Sequence, residues 1–280
     1  MTSEVPFRFE RAPGLPGSDA ASRVFLGLGR PLTRILWKLE VTGMEHVPAE
    51  GPAIICPNHL SFCDSVFVPA SLPRRSWAIG KAEYMDSLST KYLFPALGMI
   101  PVDRSGGKKS AAALDAAADV LDAGHLFMIY PEGTRSRDGD LHKGRTGAAR
   151  LAMRCDAPII PVGHQGTLDV QPPGQLRMSP FKTVSVNIGA PMRVSDFGRP
   201  GDPRVYRTMI DAVMFEIARL SGQTYVNTYA GSKAEAQTEV ATLPTPPSQE
   251  VAVAPTKPPG RMSRPSPLVD VTAADSAVSG

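Results

Sequence analysis

Cysteine is scarce in this chain: three in 280 residues, Cys56, Cys63 and Cys155, an odd number with no CxxC spacing. A disulfide framework is therefore not what holds the fold, and a reducing compartment is the simpler setting. Long apolar runs are missing as well. No window approaches the roughly 18 consecutive apolar residues that a spanning helix requires. The opening stretch, MTSEVPFRFERAPG, lacks the basic-then-apolar order of a secretory signal. Net charge is only +3, too little for overall electrostatics to call for nucleic acid. Several chemical signatures are also absent. There is no GxSxG elbow, no HExxH and no paired Cys/His spacing, so neither a serine hydrolase nor a metal site is indicated. GGKKS at 106–110 lacks the earlier glycine and the order of a phosphate-binding loop, and Gly27-Leu28-Gly29 lacks the third glycine of a dinucleotide loop. We expect no metal and no cofactor.

What is present is a folded composition, 42% hydrophobic and 20% charged, with length for a substantial core. Its charge is unevenly placed. Arg23, Arg30, Arg34 and Lys38 have no acid among them, and six basic residues between Arg135 and Arg154 face only Asp138 and Asp140. Such clusters suit anionic phosphates or an anionic membrane surface. Residues 1–20, with three prolines, read as a flexible arm. In 21–38, Leu32, Ile35, Leu36 and Leu39 fall at i, i+3, i+4 and i+7, with Arg30, Arg34 and Lys38 opposite. This amphipathic helix fits a lipid interface. It fits equally a surface helix packing its leucines on the domain.

From Leu39 onward, short apolar runs alternate with helical patterns. LEVTGMEHVP, PAIICPNH, SWAIGK, HLFMIYPEG, APIIPVG and FKTVSVNIG read as strands. DSVFVPASL, KKSAAALDAAADVLDAG, RTGAARLAMRC and DPRVYRTMIDAVMFEIARL read as helices. Alternation of this kind predicts an α/β fold, a single domain over 39–229 with a mostly parallel sheet flanked by helices. Residues 230–280 lack aromatics and hold eight prolines from 241 onward, a composition that predicts a disordered tail.

Four stretches carry polar chemistry, three of them directly after predicted buried strands, where open α/β sheets collect ligands. In NHLSFCD, His59 and Asp64 would lie about 140° apart on one helix. They could meet only if His59 ends a loop and Asp64 opens the next helix. A carboxylate on one imidazole nitrogen would then fix the tautomer and leave the other to take a proton. Read alone, Asp64 is as well explained as a helix cap. GMIPVDRS delivers Arg104, whose guanidinium fork suits phosphate, or equally a surface pair with Asp103. YPEGTRS puts Glu132, Gly133, Thr134 and Arg135 in a turn where glycine allows close backbone approach and arginine can meet phosphate. IIPVGHQG offers Pro161 and aliphatics, with His164 read as incidental. Ser61 and Cys63 sit near His59, but nothing marks either as an activated nucleophile.

In this order and spacing, NHLSFCD, GMIPVDRS, YPEGTRS and IIPVG resemble the four blocks of the glycerolipid acyltransferases, which include the 1-acyl-glycerol-3-phosphate (lysophosphatidate) acyltransferases. The likeness runs from Leu39 to Phe197, and Lys81 in AIGKAEY stands where the family often has a basic residue. It implies an O-acyltransferase of phospholipid synthesis that moves a fatty acyl group from acyl-CoA or acyl carrier protein to a hydroxyl of lysophosphatidate. His59 would be the general base and Asp64 its orienter. Lys81, Arg104 and Arg135 would hold the acceptor phosphate, while Glu132, Gly133 and Thr134 would shape the acceptor site. The resemblance further implies a monotopic enzyme on the cytoplasmic face of a phospholipid membrane, with no nucleic-acid partner. Pro101, where an aromatic is common, and Asp103 before the arginine depart from the pattern and bear on acceptor preference. Glycerol 3-phosphate or another lysophospholipid would serve the same chemistry, and a non-catalytic lipid-binding protein of this fold is the remaining alternative.

Overall fold

A computed structural model describes residues 24–81, 97–102, 109–173, 175, 177–198 and 202–231. The core begins with β2 (Ala53–Pro57), whose AIICP run is buried at every position. Strands covered on both faces need no polar alternation, which is why this one reads as unbroken apolar sequence. Ile54 and Cys56 pack into one hydrophobic cluster and Ala53 and Ile55 into another, so successive residues serve opposite faces of the sheet.

Seven strands form the sheet: β1 (Lys38–Thr42), β2, β3 (Ser76–Lys81), β4 (Met99–Val102), β5 (Leu126–Met128), β7 (Ile159–Gln165) and β8 (Thr183–Ile188). Their order is β1-β8-β7-β2-β5-β3-β4. All neighbouring pairs are parallel except β7 with β8. The mostly parallel α/β fold expected from the alternation is therefore the fold observed. One face packs on α2 (Asp64–Ser71) through Phe67 and Val68. The other carries α3 (Lys109–Asp122), α4 (Gly147–Cys155) and α6 (Pro203–Ser221), with Leu121, Leu151, Met209 and Val213 in the shared core. Between α4 and α6 lies α5 (Thr167–Val170), a single turn, and β6 (Leu141–His142) pairs with β9 (Tyr225–Val226) in a separate ribbon. Gly163 lets α6 approach closely: a Cβ there would meet Ser221 N at 2.3 Å.

The N-terminal helix differs from its expected form. A π-helical turn, Phe25–Gly29, leads into α1 (Arg30–Leu36), which stops before Lys38. Trp37 is extended because its indole N–H donates to Ser179 O at 2.8 Å and its ring packs edge-on to Phe67, 5.3 Å between centroids. Lys38 then begins β1. The expected faces are also redistributed. Arg30 turns toward the domain and donates through Nε to Ala70 O, and Thr33 is buried. Leu36 and Leu39 are half-buried, whereas Leu28, Leu32 and Ile35 point outward with 71%, 52% and 74% exposure. The strand predicted from LEVTGMEHVP ends at Thr42, where Gly43 takes φ 73° and turns the chain. The arm over 1–20 and nearly all of the tail over 230–280 lie outside the described residues. Among the described residues, no helix is long and apolar enough to cross a membrane.

Candidate active site

Because β2, β3, β4, β5 and β7 run the same way, their carboxyl ends lie along one edge. His59 follows β2, the 130–136 turn follows β5, and His164 stands at the end of β7. A loop from Asn58 to Cys63 carries His59 back onto Asp64, the first residue of α2. Asp64 Oδ2 accepts three hydrogen bonds, from His59 Nδ1 at 2.9 Å, Leu60 N at 2.7 Å and Ser61 N at 2.8 Å. It does not cap α2 from outside. Instead it folds the preceding loop around itself, which is how residues five apart meet without sharing a helical face.

The turn after β5 completes the enclosure. Tyr130 stacks on the His59 ring, 3.8 Å between centroids and 14° between planes, and its hydroxyl lies 3.2 Å from Ser65 Oγ. Glu132 Oε1 accepts from His59 N at 3.1 Å, while Oε2 accepts from His142 N at 3.0 Å. Ser136 N donates to His59 O at 2.8 Å. Both backbone groups of His59 are thus held by the second loop. Its ring is held by a carboxylate at one edge and an aromatic face.

Electrostatics follow from burial. Burial pushes the His59 pKa below the ordinary histidine value against the pull of Asp64, so the imidazole is neutral at neutral pH. For Asp64, burial works against the carboxylate, but the imidazoles of His164 and His59 and the Ser61 amide outweigh it and lower its pKa. A carboxylate accepting from Nδ1–H leaves Nε2 as the basic nitrogen. Burial pushes the Cys63 thiol up to about 12, and its single S–H has two acceptors within reach, Ser61 Oγ and Thr167 O, each 3.4 Å from Sγ. Ser61 Oγ itself donates to Gln171 O at 3.0 Å. Neither side chain is an activated nucleophile, in keeping with the sequence reading.

Glu132 is fully buried, and burial pushes its carboxyl up to about 7 despite the two amides. It clasps the His59 loop to the β6 strand. The raised value has a stability consequence. Between roughly pH 4.5 and 7 the native state holds a proton that the unfolded chain has released, so stability declines as pH rises through that window. Glu132→Gln cannot ionise, so urea unfolding at pH 5 and pH 8 is expected to show the wild type losing more stability than the variant over that interval.

Of the other expected site residues, Gly133 adopts φ 78°, and a Cβ there would come within 2.9 Å of Arg145 Nε. Thr134 and Arg135 are exposed beside it, and Arg135 is close enough to depress the His59 pKa. Lys81 closes β3, its backbone paired with Val102 at the same sheet edge. Arg104 lies outside the described residues. Two residues not assigned from sequence join the site: Tyr130 through its stacking, and His164, fully buried with Nε2 3.7 Å from Asp64 Oδ2. Neither had a local signal, since a stacking partner and a lone histidine at a strand end acquire meaning only from chain folding.

Residues 38–165 match the family model described as Acyltransferase. The chloroplastic 1-acyl-sn-glycerol-3-phosphate acyltransferase LPAT1 of Arabidopsis thaliana is 27% identical over 160 residues, 57% of this chain and 45% of that one. The 1-acyl-sn-glycerol-3-phosphate acyltransferase of Borreliella burgdorferi is 29% identical over 125 residues, 45% of this chain and 50% of its own. The chain spans about half the length of the curated relatives it matches. Among solved structures, the 1-acyl-sn-glycerophosphate (LPA) acyltransferase PlsC from Thermotoga maritima shares the fold, with a TM-score of 0.59 at 22% identity over 72% of this chain and 80% of that one.

Proposed function

We propose that this protein is an O-acyltransferase that moves a fatty acyl group from an acyl thioester, acyl-CoA or acyl carrier protein, to the free hydroxyl of lysophosphatidate. The observation that carries the reading is the 2.9 Å contact between His59 Nδ1 and Asp64 Oδ2, which commits Nε2 to proton transfer. His59 Nε2 takes the acceptor's hydroxyl proton as the oxygen attacks the thioester carbonyl. The C–O bond forms, the tetrahedral intermediate collapses, the C–S bond breaks, and the imidazolium returns its proton to the departing thiolate. No acyl-enzyme is needed, which agrees with a Cys63 thiol pushed up to about 12 and a Ser61 hydroxyl already donated elsewhere. Arg135 beside the base supplies a cation for the acceptor phosphate, and the resemblance of the sequence blocks adds Lys81 and Arg104 to it. The relatives named for 1-acyl-sn-glycerol-3-phosphate support lysophosphatidate as that acceptor.

The test offers purified full-length protein acyl-CoA or acyl carrier protein together with lysophosphatidate, and glycerol 3-phosphate in a parallel reaction. Faster transfer to lysophosphatidate is expected. Preference for glycerol 3-phosphate would change the acceptor, and transfer to neither would leave the fold as a lipid-binding module.

A bilayer surface is part of the proposal. Leucines on a helix that packed on the domain would face inward, yet Leu28, Leu32 and Ile35 face outward and Arg30 bonds the domain. Outward apolar residues beside Arg34 and Lys38 suit an anionic lipid interface. Leu32→Asp with Ile35→Asp is expected to lower co-sedimentation with phosphatidylglycerol vesicles by 10-fold or more, at about 1.5 kcal/mol or more per inserted side chain, without loss of thermal stability. Unchanged vesicle binding would remove the bilayer from the proposal.

A further inference from the structure

We propose that His164 is a positioning residue for the His59–Asp64 pair, holding from the far side both the carbonyl that precedes His59 and the carboxylate that orients it. The inference deepens the acyltransferase reading and rests on it for its kinetic arm. His164 Nε2 lies 2.8 Å from Asn58 O and 3.7 Å from Asp64 Oδ2, and the side chain is completely buried. A carbonyl oxygen only accepts, so Nε2 carries the proton and donates it. Nδ1 of the same ring is buried with no hydrogen-bond partner among the described residues. An imidazole buried at such cost, with one nitrogen unsatisfied, needs a compensating role on its other side.

That role is visible in the contacts. The Asn58 side chain grips the His164 backbone at both groups, donating from Nδ2 to His164 O at 3.0 Å and accepting from His164 N at 2.9 Å. Asn58 N in turn donates to Val162 O. β2 and β7 are thereby locked together beyond their last paired residues, and the loop that presents His59 starts from a fixed point. His164 Nε2–H seals this junction on the Asn58 carbonyl and directs its positive edge toward Asp64. Oδ2 already has three closer donors, so His164 acts on it through charge and orientation rather than as a fourth short hydrogen bond.

The groups facing this pair come from each packed element. They are Asp64 and Cys63 at the start of α2, His59 in the loop, Tyr130 and Glu132 after β5, and Arg135 beyond them. Asp64 is the nearest anion. Removing the positive edge of His164 leaves its charge less compensated, so His59 should bind a proton more readily.

The experiment follows the five histidines of the full-length protein by NMR of ¹⁵N-labelled imidazoles, alongside acyl-transfer kinetics. His164→Leu is expected to move the His59 titration midpoint upward by roughly half a pH unit. It is also expected to lower kcat on the order of 10-fold with KM within about twofold. His164→Gln can place an amide N–H where Nε2 stood and should restore kcat to within about threefold, whereas the shorter His164→Asn cannot reach and should behave like His164→Leu. A folded His164→Leu with an unmoved midpoint and unchanged kcat overturns the proposal. If His164→Leu does not fold, the Gln and Asn variants decide it, and equal behaviour of the two overturns it. Absence of transfer by the wild type would sink the acyltransferase reading, while the NMR midpoints would still decide the role of His164.

Discussion

His59→Ala is expected to cut acyl transfer by about 10³- to 10⁴-fold, the full scale of general-base catalysis, with little change in KM for either substrate. The structure explains why loss should fall on kcat. The His59 backbone is held at N by Glu132 and at O through Ser136 N, contacts that alanine keeps. Asp64 retains the Leu60 and Ser61 amides, so the loop should remain closed around a carboxylate that has lost only its imidazole. The Tyr130 ring loses its stacking partner, which should lower thermal stability modestly. Circular dichroism and a thermal melt would establish the fold, and steady-state kinetics the rate. A folded variant with more than a tenth of wild-type kcat would remove His59 as the base. In the wild type the acidic limb of kcat/KM should lie below pH ~6.5, the ordinary histidine value, because burial depresses the His59 pKa.

Much of this arrangement was legible because it depends on local signals. The apolar runs around Ile54, Phe127 and Ile160 announce buried strands, and helices between them impose parallel pairing. The local order of strand, loop and helix start allowed His59 and Asp64 to meet but fitted a helix cap as well, and it was the resemblance of the four blocks together that named them as a pair. What local sequence conceals are relations between distant segments. His164 is 106 residues from Asn58, so its contact with the site exists only once β7 lies beside β2. β8 reads as a strand in either direction. It pairs antiparallel with β7 and parallel with β1, and nothing in FKTVSVNIG distinguishes those directions. Glu132 illustrates the same limit. A carboxylate in a strand-end turn suggests a ligand contact, and nothing local announces that its two oxygens accept from the amides of His59 and His142.

The helix at the N-terminus shows how the fold sets an orientation that a pattern leaves open. Periodicity establishes that an apolar stripe exists but not which way it faces. Here the extended Trp37, fastened to Ser179 O, sets the rotation of α1 as the chain enters β1. Arg30 is drawn to the carbonyl of Ala70 at the end of α2; of the stripe, Leu32 and Ile35 are left outside with Leu28, while Leu36 and Leu39 are half-buried. α2 is also the helix whose first residue is Asp64. The exposed apolar segment and Asp64 therefore lie toward opposite ends of one eight-residue helix, and on the proposed reading a lipid surface at α1 would lie about one short helix from the His59–Asp64 pair.

Asp64→Asn is the sharper test, because it separates the charge of the pair from its geometry. In a catalytic triad the corresponding change removes about four orders of magnitude, largely through loss of the correct tautomer. In this site the Leu60 and Ser61 amides both point at the Oδ2 position and would require the amide oxygen of the variant there. That oxygen still accepts from His59 Nδ1–H, so the tautomer survives and Nε2 stays available. The NH₂ group then occupies the Oδ1 position, which is buried without a partner among the described residues. Leaving that donor unpaired should cost about 1–3 kcal/mol of stability. Kinetically, only the negative charge that stabilises the imidazolium is lost, so kcat should fall by roughly 10²- to 10³-fold, less than in a triad that loses its tautomer. Asp64 raises the His59 pKa by hydrogen bond and charge. Its neutralisation must lower that pKa further and carry the acidic limb of the pH–rate profile to lower pH. A lower plateau with its acidic limb displaced downward is the signature of a charge partner. A variant that loses rate while the limb stays in place would mean that Asp64 only shapes the loop, and the imidazolium would then need its stabilisation from another group.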